Sequence, residues 1–83
     1  MTVKIYTAPG CQRCNLTAKQ FEKEDIPVQL IDVSEDEELR DHAIELAGGQ
    51  RELPIVDVGN IRDPWSGFKP EVIKEVIAAM KGA

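Results

Sequence analysis

Apolar and polar residues alternate from Val3 to Tyr6, ahead of the loop-forming residues Ala8-Pro9-Gly10. This pattern predicts a short strand that ends in a loop. The spacing of the apolar residues then changes from that of a strand to that of a helix. Between Gln12 and about Glu24, residues typical of a buried face recur at helical spacing, namely Cys14, Thr17, Ala18 and Phe21. The segment Asp25-Ile26-Pro27 ends this predicted helix.

Residues 28–33 are mostly β-branched or apolar, which predicts a strand covered on both faces. Strand, helix and strand then form a β-α-β unit, whose helical crossover is long enough to join parallel strands with a right-handed turn. A second helix follows. Ser34 and Glu37 have the spacing of a capping box, and Gly48-Gly49 ends an apolar face made of Leu39, Ala43, Leu46 and Ala47.

The last third of the chain predicts an antiparallel edge and a third helix. Residues 54–58 form a strand pattern, Gly59-Asn60 a tight turn, and residues 61–63 a short returning strand. Pro70 suits the first turn of a helix whose core-facing stripe contains Val72, Ile73, Val76, Ile77 and Met80. No repeat or linker divides the chain, so we expect one α/β domain over residues 1–83 with the order β-α-β-α-β-β-α.

Composition and charge exclude several classes of function. The chain has 83 residues and a formal net charge of −5, with no apolar run near the roughly 20 residues that cross a bilayer. The acidic balance argues against nucleic acid or an anionic membrane as a partner. Residues 1–4 lack the layout of a signal peptide. We therefore expect a monomeric cytoplasmic protein, whose thiols are kept mostly reduced.

The candidate chemistry lies in Cys11-Gln12-Arg13-Cys14, which contains the only two cysteines of the chain. The motif stands where the strand pattern gives way to the helix pattern, and a helix N-terminus together with a Cys-X-X-Cys spacing favours a thiolate. Cys11 is predicted to attack a disulfide. Cys14, one turn further along on the buried stripe, is predicted to resolve the mixed disulfide that forms.

The cysteine pair has two other interpretations. A structural zinc site needs four ligands, and only His42 remains among the usual Cys and His donors, although a carboxylate would complete the set. A disulfide kept for stability is expected to join distant segments, since closing a short loop removes little entropy from the unfolded chain. Redox chemistry is therefore favoured, with no metal.

Arg13 adds a cation close to Cys11 in this motif. We hypothesise that Arg13 lowers the pKa of the Cys11 thiol, because a nearby positive charge stabilises the thiolate. The alternative is an exposed arginine without effect, since charges at a protein surface interact weakly.

Two segments carry a family resemblance. Residues 6–14, Tyr-Thr-Ala-Pro-Gly-Cys-Gln-Arg-Cys, resemble the active-site segment of glutaredoxins, and residues 65–70, Trp-Ser-Gly-Phe-Lys-Pro, resemble the W-S-G-F-[RK]-P signature of the NrdH-redoxins. With the strand pattern between them, the likeness covers essentially the whole chain. It implies a thioredoxin fold, namely a four-stranded mixed sheet flanked by three helices.

The resemblance also implies a reaction. NrdH-redoxins take electrons from thioredoxin reductase and pass them to class Ib ribonucleotide reductase, with no cofactor of their own. Residues 65–68 replace the Gly-Gly-x-x-Asp stretch with which glutaredoxins bind glutathione, and Ala8 replaces a lysine common in both groups. We therefore expect weak glutathione binding. A glutathione-dependent glutaredoxin and a redox-sensing binding module remain the alternatives.

The same resemblance assigns further site residues. Pro54 aligns with the proline that is cis throughout the thioredoxin fold, so that the backbone of Leu53 would face an extended substrate segment. The alternative for Pro54 is an ordinary proline at the start of a strand. Four residues are expected to shape the surface presented to the reductase, with core or loop anchoring as the alternative for the two aromatic ones: Trp65, Ser66, Gly67 and Phe68.

Overall fold

The computed structural model describes residues 2–82 and contains the seven elements in the order that the sequence predicts. The strands are β1 (Val3–Thr7), β2 (Val28–Asp32), β3 (Ile55–Asp57) and β4 (Trp65–Ser66). The helices are α1 (Gln12–Glu22), α2 (Glu37–Leu46) and α3 (Pro70–Met80). Within residues 2–82, none of the helices has the length and apolar character that a membrane crossing requires.

The four strands form one mixed sheet in the order β2-β1-β3-β4. β1 is parallel to β2 and antiparallel to β3, and β3 is antiparallel to β4. Opposite residues include Val3 and Val28 in the parallel pair, and Val56 and Trp65 in the last pair. The predicted thioredoxin fold, with a mixed sheet and three helices, is confirmed.

Apolar side chains cover both faces of the sheet. Successive residues of a strand point to opposite faces, and accordingly Ile5 belongs to one buried cluster and Tyr6 to another. The first cluster joins the sheet to α1 and α3 through Ala18, Phe21, Ile73 and Val76. The second joins it to α2 through Ala43. The sheet therefore lies between α1 and α3 on one side and α2 on the other.

The expectation that residues 28–33 are covered on both faces was wrong for most of the strand. β2 lies at one edge of the sheet, so only β1 pairs with it. Val28 and Ile31 are half-buried against opposite clusters, whereas the side chain of Leu30 is 53% exposed. An apolar strand at an edge has neighbours on one side only, which explains the lower burial.

The returning strand lies later in the chain than predicted. Residues 61–63 are bends and loop, and the pairing strand is β4. The Asp57 carboxylate accepts a hydrogen bond from the N–H of Gly59 at 3.0 Å and starts a longer connection than a two-residue turn. Pairing at Trp65 buries its large ring in the first cluster, which gains more apolar contact than pairing at Ile61.

The N-terminus of α2 also differs from the prediction. Asp36, not Ser34, is the N-cap residue, and its Oδ1 accepts a hydrogen bond from the N–H of Leu39 at 3.1 Å. Ser34 takes part in the preceding turn instead, where its N–H donates to Oδ1 of Asp32 at 2.8 Å. The acidic run of residues 35–38 therefore contributes the cap itself as well as the negative charge of the first turn.

Candidate redox site at the start of the first helix

The chain between β1 and α1 places Cys11 at the N-cap of the helix. The N–H of Cys11 donates to the carbonyl of Ala8 at 3.3 Å, and its backbone is extended. Its Sγ accepts a hydrogen bond from the N–H of Cys14 at 3.2 Å. The sulfur thus occupies the position of a capping oxygen, where the first-turn N–H groups of a helix favour negative charge.

The two cysteines form a disulfide but differ in accessibility. Their Cα atoms are 5.3 Å apart, within the usual range for a disulfide. Cys14 is fully buried on the inward face of α1, whereas Cys11 is half-buried. Of the two sulfur-bearing residues, Cys11 is therefore the one that a second protein can approach.

The loop before β3 carries the predicted proline. The Leu53–Pro54 peptide bond is cis, as the resemblance implies. Pro54 is fully buried, and Leu53 is half-buried against the second cluster. The carbonyl of Pro54 accepts a hydrogen bond from the N–H of Gly67 at 2.8 Å. This bond joins the proline loop to the segment that carries the family signature.

The segment from Trp65 to Phe68 holds that loop from the inside. Ser66 is 2% exposed, and its hydroxyl donates to the backbone carbonyl of Glu52. Gly67 has a φ of +93°, and a Cβ on it would lie 2.9 Å from Oε2 of Glu52. The backbone conformation therefore favours glycine, and a side chain at this position would also push the Glu52 carboxylate aside.

The two aromatic residues of the segment lie in different environments. Trp65 is 6% exposed and belongs to the first cluster, with the guanidinium of Arg62 5.7 Å from its ring centroid. Its indole Nε1 is buried without a hydrogen-bond partner among residues 2–82. Phe68 packs against the same cluster but is only partly buried. Of the four predicted surface-shaping residues, Trp65, Ser66 and Gly67 thus lie inside, and Phe68 keeps part of its ring accessible.

Arg13 lies on the exposed side of the motif and forms an ion pair with Glu52. Both side chains are more than half exposed, at 57% and 56%. Glu52 was not among the residues predicted from the sequence. Its only sequence signal is a carboxylate two residues before Pro54, and no spacing rule connects that position to Arg13.

A cavity of about 220 Å³ lies beside the proline loop. Ala8 and Leu53 line it together with apolar residues of α2 and β3, and the guanidinium-bearing residues Arg40 and Arg51 also belong to its lining. An apolar surface with cations beside it suits a ligand that has both apolar groups and a carboxylate. Over residues 2–82, no cluster of three or more His, Cys, Asp or Glu side chains is arranged to hold a metal ion.

Comparison with known proteins gives consistent matches. The family model described as Glutaredoxin matches residues 3–61. The Glutaredoxin-like protein NrdH of Escherichia coli (strain K12) is 32% identical over 83 residues, which cover 100% of this chain and 98% of the relative. The N-acetyl-S-hydroxy-L-cysteine reductase of Bacillus subtilis (strain 168) is 32% identical over 59 residues, or 71% of this chain and 62% of that protein.

A solved structure agrees with these sequence matches. The NrdH-redoxin of Escherichia coli, described as a glutaredoxin-like protein with a thioredoxin-like activity profile, superposes with a TM-score of 0.73 at 34% sequence identity. The match covers 89% of this chain and 92% of the other.

Proposed function

Because this chain belongs to the glutaredoxin family and resembles the NrdH-redoxins along its full length, we propose that it carries electrons from thioredoxin reductase to class Ib ribonucleotide reductase. Its Cys11–Cys14 pair makes it a thiol-disulfide oxidoreductase. The proposal includes a cytoplasmic location and a monomeric state. The observation that carries it is the Trp65–Phe68 segment, which is tied by hydrogen bonds to the loop beside the cysteines.

The chemistry is a two-step thiol-disulfide exchange. The Cys11 thiolate attacks one sulfur of the target disulfide, so that a mixed disulfide forms and the first target sulfur leaves as a thiolate that takes up a proton. The Cys14 thiol then loses its proton and attacks Sγ of Cys11, which releases the second target thiol. Two electrons reach the target, and the protein is left with the Cys11–Cys14 disulfide, which the reductase reduces again.

The backbone of Leu53 is the proposed contact for the target segment. Among the described residues, neither its N–H nor its C=O takes part in a backbone hydrogen bond, and Leu53 lies outside the strands of the sheet. Both groups therefore remain for an extended segment that adds as a strand beside Cys11. The cavity next to Leu53 would receive a side chain of that segment.

The proposal is tested by following NADPH consumption with the purified protein and a disulfide acceptor. One reaction contains thioredoxin reductase, and the other contains glutathione with its reductase. We expect turnover with thioredoxin reductase, transfer to class Ib ribonucleotide reductase when that enzyme is the acceptor, and no transfer with a Cys11→Ser variant. Turnover with glutathione alone would contradict the proposal.

Use of a small thiol is the second candidate, and the cavity favours it. Arg40 and Arg51 line the cavity and would bind carboxylates of glutathione or of a related thiol, even though Ala8 replaces the usual lysine. The relative in Bacillus subtilis, named as a reductase of a small cysteine derivative, points to the same class of substrate. Saturation of the glutathione-coupled reaction at low glutathione concentration, with loss of saturation in an Arg51→Gln variant, would favour this candidate.

A further inference from the structure

Glu52 connects three parts of the site. Its carboxylate pairs with Arg13 in the Cys-X-X-Cys turn, its backbone carbonyl accepts from the hydroxyl of Ser66, and its side chain lies against Gly67. Leu53, whose backbone faces the proposed target segment, follows directly in the chain. The carboxylate is therefore held at the rim of the site by contacts on two sides, although the side chain is more than half exposed.

The charges around Cys11 come from several elements. Arg13 is on α1, Glu52 and Arg51 are on the loop before Pro54, and Arg40 on α2 lines the neighbouring cavity. A fifth titratable group is the Cys14 thiol, which is buried and uncharged when protonated. Within residues 2–82, Arg13 and Glu52 form an ion pair, whereas neither Arg40 nor Arg51 takes part in one.

We propose that Glu52 is a positioning residue that sets the reactivity of Cys11 by holding and neutralising Arg13. The carboxylate draws the guanidinium toward the proline loop and offsets its positive charge, so that Arg13 alone would stabilise the Cys11 thiolate more than the pair does. The inference rests on the proposed function in one respect, since it takes Cys11 as the attacking thiol. Glu52 thereby controls the fraction of Cys11 that is present as the reactive thiolate.

The test is the pH dependence of the alkylation rate of Cys11 by iodoacetamide, measured on the fully reduced protein. The variants are Glu52→Gln, Arg13→Gln and the double variant. Glutamine at position 52 keeps the side-chain volume and leaves the backbone carbonyl for Ser66. Glu22→Gln is the matched control, because Glu22 is an exposed carboxylate on α1 and lies about 16 Å from Cys11 along the helix axis, beyond the screening length at physiological salt.

We expect opposite shifts from the two single variants. Glu52→Gln should move the midpoint of the alkylation profile to lower pH, and Arg13→Gln should move it to higher pH. Each shift should change the rate at pH 7 by about two- to fivefold. The double variant and the Glu22→Gln control should remain close to the unmodified protein, and the opposite shifts should shrink in 1 M salt.

Any pattern other than opposite shifts would overturn the inference. Shifts of both single variants in one direction would indicate a purely structural effect, and unchanged midpoints would show that the pair does not act on the thiolate. Arg13→Lys, which keeps the cation, should alkylate like the unmodified protein, and circular dichroism verifies that each variant is folded. Alkylation requires no partner, so a failed NADPH assay with thioredoxin reductase would leave this result standing.

Discussion

At the scale of single residues, burial separates two chemically identical side chains. Cys14 is fully buried on the inward face of α1, whereas Cys11 is half-buried at the helix N-terminus. A target disulfide can therefore reach only one sulfur without opening the core. The proposed order of attack, Cys11 first and Cys14 second, is supported by this difference in access and by the electrostatics expected at a helix N-terminus.

A Cys14→Ser variant should trap the intermediate. Cys11 would still attack a target disulfide, but the mixed disulfide would have no neighbouring thiol to resolve it. We expect an adduct that accumulates to near stoichiometry, visible as an added mass in intact-protein mass spectrometry and lost on reduction. The matched Cys11→Ser variant should form little adduct, because its remaining thiol is buried. Equal adduct formation by the two variants would contradict the assignment of roles.

Gly67 provides a second test at this scale. Gly67→Ala and Gly49→Ala place a side chain at nearly the same positive φ, +93° and +96°, which costs each variant about 1–2 kcal/mol. A Cβ at Gly49 meets nothing within 4 Å, whereas at Gly67 it meets the Glu52 carboxylate. Because that carboxylate would have to move away from Arg13, we expect about 0.5 kcal/mol more loss for Gly67→Ala.

Urea unfolding of the two alanine variants measures the difference between them. A Gly67→Ala variant that is as stable as Gly49→Ala, or more stable, would show that the close approach of Glu52 has no energetic effect.

At the scale of elements, the acidic run before α2 acquires a definite role. The Oδ1 of Asp36 accepts from the N–H of Leu39, so an Asp36→Ala variant should lose about 1 kcal/mol of unfolding free energy. Asp36→Asn keeps the capping oxygen and should lose much less. Urea denaturation of both variants measures the contrast. Equal losses would indicate that the charge near the helix N-terminus matters and the cap hydrogen bond does not.

The elements also show how far the sequence alone reaches. Helical periodicity and breakers predicted α1 and α3 closely, and the Cys-X-X-Cys spacing located the redox pair, because these signals are local in the chain. β4 was misplaced because three residues carry little periodicity, and its pairing is decided by burial of Trp65 against residues far away in sequence. Glu52 was missed for a similar reason, since its partner Arg13 is 39 residues distant.

At the scale of the whole molecule, titrating groups set the pH range of stability. The hydroxyl and backbone N–H of Ser34 lower the pKa of Asp32, and a hydrogen bond and charge from Lys81 lower the pKa of Glu24. A lowered pKa contributes stability above the unfolded-state value of about 4, and this stability is lost as pH falls through the folded-state value. Burial, followed by the charge of Asp57, raises the pKa of Tyr6.

We therefore expect the urea concentration at the unfolding midpoint to decrease when the pH is lowered below about 4, because the two carboxylates become protonated. It should fall again above about pH 10, because the raised pKa of Tyr6 gives stability that is complete below the unfolded-state value and lost as pH rises through the folded-state value. An Asp32→Asn variant should show a smaller acid loss, and Tyr6→Phe a smaller alkaline loss. Unchanged pH profiles in these variants would assign the losses to other groups.

The two sides of the sheet are anchored unequally. α1 places four side chains in the interior, namely Cys14, Thr17, Ala18 and Phe21, whereas α2 places only Ala43 there. A helix with few fully buried side chains is expected to detach at a lower free-energy cost than the rest of the fold. Since α2 also carries Arg40 at the cavity, we expect the cavity wall formed by α2 to move more readily than α1, at whose start the cysteines lie. An incoming chain would then displace α2 before it disturbs the start of α1, where Cys11 lies.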